Sequence, residues 1–207
     1  MGFQPDRQSI LHADPPRPLL LWIHGAAFSG WVAFYIVQSG LVRTRNVQWH
    51  RFLGWFGLAL GIAMVGLGFA VSIIMGNFDA VVLHLPSPTF LSVPWFDMTA
   101  FGTCLGLAIY WRKKPELHRR LLFLASCSLL DAPFGRFSFL FNNNLFFPCL
   151  DVIMLLGVGR DLFVDRRIHK AYRVALPLLF AGQALAVYLY AAAPAWWLGF
   201  TRSVLGI

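Results

Sequence analysis

Charge and cysteine are both scarce in this chain of 207 residues: 13% of them are charged, and only three are cysteine. Soluble domains carry about 25% charged residues, because a globule needs a polar exterior. Cys104, Cys127 and Cys149 form no C-x-x-C, and an odd number cannot all pair within the chain. They read as small buried hydrophobes. A phosphate-cradling G-x-x-x-x-G-K-[ST] loop is missing, since none of the three lysines follows a glycine, and so is a dinucleotide fingerprint. Residues 1–18 are polar and Pro-rich, without the apolar core of a cleaved signal peptide, so the first apolar run reads as an uncleaved signal anchor. Asp6 breaks the myristoylation pattern.

What the chain has in plenty is apolar length. Hydrophobic residues make up 58% of it, and the mean hydropathy is +0.64. An apolar run of roughly 18 residues matches the hydrocarbon thickness of a bilayer. Six such runs are read here: Leu19–Leu41, Leu53–Met75, Pro94–Trp111, Leu121–Leu140, Phe147–Phe163 and Val174–Trp197. Backbone groups in lipid must bond internally, so the runs predict helices. The expected fold is an all-α, polytopic transmembrane bundle over residues 19–200, with polar tails at 1–18 and 201–207. Gly57/Gly61 and Gly102/Gly106 have the spacing of close helix contacts. Pro133 should kink the fourth helix, whereas Pro148 and Pro177 fall near helix starts. The stretch from Phe78 to Pro94 is expected to fold back on the bundle as a lid.

The cations are sorted by loop. Apart from Arg7, Arg17, Arg136 and Arg202, all 17 Lys and Arg residues cluster around the connections after the first, third and fifth runs. The loops Gly76–Val93 and Phe141–Phe146 hold none. The positive-inside rule puts the basic loops in the cytoplasm and both termini outside. The charge of +8 thus reports topology, and nucleic-acid binding is not expected. Trp95, Trp111, Trp196 and Trp197 near run ends suit an interfacial belt.

Three histidines stand where the chain turns back from the basic side: His50, His118 and His169. Imidazole binds haem iron, zinc, copper and non-haem iron. With Asp161 and Asp165, spaced four residues apart before His169, they form a candidate metal set at the cytoplasmic rim. Acting singly, they would cap helices or touch lipid phosphate. A second candidate set lies within the runs: His24, Asp97, Asp131, Arg136 and Asp151. Ionisable groups inside a membrane usually face the interior and find partners. An Arg136–Asp131 or Arg136–Asp151 ion pair is the natural expectation, with a proton relay, cofactor anchor or polar substrate path as the functional alternatives. His12 and His84 carry no readable role.

The HRFLGW stretch at His50 and the LHRRL stretch at Leu117 resemble those of uncharacterised small multi-pass inner-membrane proteins of bacteria. The bundle also looks distantly similar to cytochrome-b561-type proteins, which implies histidines clasping haem. In that family the ligands lie within the spans, whereas here they stand at the rim. Three functions follow as expectations for a multi-pass cell-membrane protein: a redox or metal-binding protein with haem or a transition metal, a small-solute or proton-coupled transporter, or a structural subunit. Its expected partners are the lipid bilayer and either another membrane protein or further copies of itself.

Overall fold

The computed structural model describes residues 16–84, 88–143 and 145–207. His12 and most of the N-terminal tail lie outside them. All regular structure among the described residues is helical. The helices are α1 Leu19–Arg43, α2 Val47–Val81, α3 Ser92–Tyr110, α4 Pro115–Cys127, α5 Asp131–Gly135, α6 Ser138–Asn142, α7 Phe146–Val164, α8 Lys170–Ala192 and α9 Ala195–Leu205, with a 3-10 turn at Pro88–Leu91. Helices α1, α2 and α8 are each long and apolar enough to cross a membrane, the mark of a membrane protein. Their outward faces carry Ile36, Phe56, Ile62 and Leu178, all more than half exposed. Such faces suit hydrocarbon, not water.

Local chemistry sets the turns. Between α1 and α2 the Arg45 N–H bonds the Val42 carbonyl at 3.1 Å and the Asn46 N–H bonds Leu41 at 2.8 Å. That double closure is a Schellman turn, with Arg45 in the left-handed position at φ 62°. Helix α4 opens on Pro115, where a missing N–H costs nothing. With 35 residues, α2 is about 52 Å long and outreaches a hydrocarbon core of about 30 Å.

Three of the expected runs differ from the observed helices. The second, Leu53–Met75, extends six residues further at each end, as Val47–Val81. The fourth, Leu121–Leu140, is not one kinked helix. Helix α4 stops at Cys127, and the chain turns through Leu129 N–H to Ser126 O and Leu130 N–H to Cys127 O before α5 and α6. Pro133 cannot donate to the Leu129 carbonyl and its ring would strike it, so the helix breaks. The sixth run, Val174–Trp197, begins earlier, at Lys170, which leaves Pro177 inside α8. It also ends earlier, because Ala193 adopts φ 45° and Pro194 starts a new helix.

Helix α3 lies at the centre. Its Phe101, Cys104 and Leu105 pack with Met64 of α2, Leu124 of α4, and Leu150 and Met154 of α7. Trp31 of α1 meets Phe101 edge-on at 5.1 Å and donates its indole N–H to Ser126 Oγ at 3.2 Å. Close approach demands glycine at Gly57 and Gly61, where a Cβ would strike Phe34 and Leu105. A Cβ at Gly102 would come within 3.3 Å of Val65, but one at Gly106 would meet nothing within 4 Å, so the second glycine pair is not a pair of close contacts. At the end away from the basic turns, the 3-10 segment packs back on the bundle. Thr89 Oγ1 donates to Tyr190 O at 3.2 Å, and Trp197 Nε1 donates to Thr89 O at 3.1 Å.

Candidate functional site

His50 and His118 are each the fourth residue of a helix, α2 and α4. Equivalent places after two tight turns bring them to the same depth. Their ring centres are 6.3 Å apart and the rings lie at 78°. His118 Nδ1 is 2.9 Å from the Ala108 carbonyl oxygen. A carbonyl only accepts, so Nδ1 carries a hydrogen, and in the neutral ring the lone pair falls on Nε2. The Gln38 main chain stands against the His50 ring as an acceptor. His50 Nδ1 is buried without a hydrogen-bond partner, as are both polar atoms of the Gln38 amide.

His169 does not join them. It is the N-cap of α8, its Nδ1 accepting the Ala171 N–H at 3.1 Å. Asp161 and Asp165 face Arg120 instead. Arg120 Nε donates to Asp161 Oδ2 at 2.7 Å, and Nη2 donates to Asp161 Oδ1 at 2.6 Å and to Asp165 Oδ2 at 2.8 Å. Both Arg120 and Asp161 are buried. The third guanidinium nitrogen, Nη1, bonds the Glu116 main-chain oxygen at 2.9 Å and the Glu116 carboxylate. Arg160 reaches Asp161 at 3.2 Å and Asp165 at 3.0 Å. These carboxylate lone pairs are spent on guanidinium groups. The five expected metal-rim residues therefore form no single ligand set, and among the described residues no three of His, Cys, Asp or Glu stand where they could share a metal ion.

An open cleft of about 350 Å³ adjoins this network, lined by Glu116, Arg120, Asp165, Arg167 and His169. The hydrogen bond from Arg120 holds the Glu116 carboxyl below its usual range, with the charges of Arg119 and Arg120 adding to it. Burial pushes His169 down, helped by the Arg120 and Lys170 cations and opposed by Asp161 and Glu116.

The interior set divides as well. Arg136 is exposed at the end of α5 and makes no ion pair among the described residues, so neither expected partner, Asp131 or Asp151, holds it. The break in the fourth run carries Arg136 outward, and His24 becomes its titratable neighbour. His24 stacks on Phe28 at 4.0 Å, with Nδ1 buried and unpartnered. Asp97, sixth in α3, and Asp131, first in α5, are both buried, and their carboxyl groups lie within hydrogen-bond reach of each other. Asp131 also takes the backbone N–H groups of Asp131 and Ala132, while Asp97 Oδ1 has no partner of its own. Asp151 faces Gln183 of α8. Phe96, next to Asp97, fills the notch at Gly182 and meets Phe147 edge-on at 6.1 Å, which brings these polar groups to one level of the bundle.

No family model matches this chain, and no curated protein or solved structure does.

Arg120, Glu116, Gln38 and Gln183 are the candidate-site residues that sequence reasoning passes over. Arg120 had a legible signal. It lies on the stripe Leu117, Leu121, Leu124 that α4 buries, and Glu116 sits one turn before it. A cation on a buried stripe needs an acidic partner. Gln38 and Gln183 are single polar residues in apolar helices, and nothing in their spacing marks them.

Proposed function

We propose that this chain crosses a bacterial cell membrane six times, with the basic turns in the cytoplasm and both termini outside, and works as a proton-coupled carrier of small solutes. The segregated cations support the orientation. The contact between the buried Asp97 and Asp131 carboxyls, at the break in the fourth run, carries the functional reading. Ionised carboxylates only accept hydrogen bonds, and two like charges in contact are costly, so the pair keeps a proton between them. Losing that proton would leave a double negative charge that needs a cationic or hydrogen-bond-donating solute. Occupancy and protonation are then linked, which is the thermodynamic content of coupling. A broken helix supports the same reading, because irregular backbone within a membrane is tolerated where it lines a cavity or is buried in protein. Asp151 and Gln183 extend the polar level beside the pair.

The test uses the purified protein in vesicles loaded with a pH-reporting dye. Inorganic cations, amines and amino acids are added in turn. At least one should drive proton movement with the wild type and not with Asp97→Asn or Asp131→Asn. Proton movement that is absent for every solute, or unchanged in both variants, would overturn the proposal.

A further inference from the structure

We infer that His50 and His118 form a two-coordinate site for a monovalent transition ion, cuprous copper, at the basic end of the bundle. The site is separate from the acid pair of the proposed carrier function. Two imidazole nitrogens bound in line to one ion, each at about 2.0 Å, hold their ring centres roughly 6 Å apart, and a tetrahedral angle draws them to about 5 Å. The observed 6.3 Å matches the in-line arrangement. The ring of His118 is already set for it: the Nδ1–H bond to the Ala108 carbonyl fixes the tautomer that leaves Nε2 as a donor. Metal-bound histidines are typically oriented in this way, by a carbonyl on the other nitrogen.

Two orphaned groups point to a ligand. His50 Nδ1 is buried and has no hydrogen-bond partner. Gln38, more than nine-tenths buried, leaves both amide atoms unpartnered on the helix whose main chain touches the His50 ring. An unsatisfied buried polar atom is costly, so the His50 nitrogen calls for an occupant.

Charge decides which ion. Imidazole is an uncharged ligand, and among the described residues no carboxylate or thiol stands where it would complete a third position. Arg51 adds positive charge beside His50. A divalent ion wants more ligands and some negative charge, whereas a monovalent copper ion accepts two nitrogen donors in line. Both rings are partly exposed at the rim, although His50 Nδ1 itself is buried.

The decisive experiment titrates the full-length protein in detergent with cuprous ion under anaerobic conditions against a competing chelator, alongside His50→Ala, His118→Ala, His169→Ala and Asp97→Asn. Wild type, His169→Ala and Asp97→Asn should each bind one equivalent, and either of the other two variants should lose it. Retention by Asp97→Asn keeps this outcome independent of the carrier reading. X-ray absorption on the copper-loaded wild type should show two nitrogen scatterers, a readout that needs no variant to fold. The inference is overturned by sulfur scattering, which would place the ion on the cysteines, by zinc binding as tightly as copper, or by equal loss in His169→Ala. A wild type that binds no copper overturns it too, leaving water as the occupant.

Discussion

Arg120 and Asp161, 41 residues apart in the chain, form a two-point ion pair with nitrogen–oxygen distances of 2.7 and 2.6 Å, both side chains buried where α4 meets α7. The planar guanidinium matches the carboxylate fork, and Glu116 and Asp165 satisfy its other hydrogens. Removing Arg120 takes both short bonds from the buried Asp161 carboxylate and leaves it only Arg160, at 3.2 Å.

Arg120→Ala should therefore destabilise the detergent-solubilised protein by about 3–5 kcal/mol. Arg136→Ala, at an exposed position without an ion pair, should change stability by no more than about 0.5 kcal/mol. Replacing both Arg120 and Asp161 with leucine should restore much of the loss, since an apolar pair of similar volume often serves as well. Unfolding curves of the variants measure this directly. Equal midpoints for the two arginine variants would contradict the burial of the pair.

Acid should loosen the basic end through two groups with the same sign. His169 caps α8 only while Nδ1 is unprotonated, and burial lowers its pKa from the ordinary 6.5. A lowered folded value means that the stabilisation is complete above 6.5 and is lost as pH falls through the lowered value. Glu116 behaves alike below its ordinary 4.5, because the Arg120 hydrogen bond favours its charged form. His169→Asn keeps a capping oxygen and cannot titrate. Its stability should stay flat across the range just below 6.5, where the wild type declines. Parallel pH profiles for the two proteins would remove His169 from the account.

Glycines that share a composition should differ in consequence. A Cβ at Gly157 meets the Tyr172 hydroxyl at 2.5 Å and the Phe123 ring at 2.7 Å, two stiff groups from α8 and α4. Gly157→Ala should cost about 1–3 kcal/mol, the usual penalty for overpacking. Gly106 has nothing within 4 Å, and Gly106→Ala should stabilise its helix by up to about 1 kcal/mol. Thermal unfolding of both variants gives the comparison, and a loss at Gly106 would mean that a neighbour stands against it.

Reporter tags at the two ends should both read outside the cytoplasm. The basic turns supply the reason, and the proposed six crossings require the ends to agree. A cytoplasmic signal from one end alone would mean an odd number of crossings, most simply through the broken region between α4 and α7.

Much of the framework was legible before any coordinates. The apolar runs at Leu19 and Leu53 correspond to α1 and α2, and the run at Phe147 to α7, within a few residues except that α2 extends six residues further at each end. The shared depth of His50 and His118 follows from their equal distance from two tight turns. The break after Cys127 was half legible. Pro133 announces a disturbance, but a proline only bars one hydrogen bond, and whether a helix bends or stops depends on what surrounds it.

The sequence by itself determined a helical membrane protein and which turns carry the cations, because hydropathy and charge act on each residue wherever its neighbours are. Only the tertiary structure decided partners. Each residue rotates the helix by about 100°, so a side chain's bearing depends on how its helix is turned and which helix lies beside it. That is why Arg120, with the same side chain as Arg119, is the buried one, and why Asp161 and Asp165 went to it and not to a histidine. It is also why His50 found His118 while His169 turned to its own helix, and why Asp97 found Asp131 once the broken helix had carried Arg136 away.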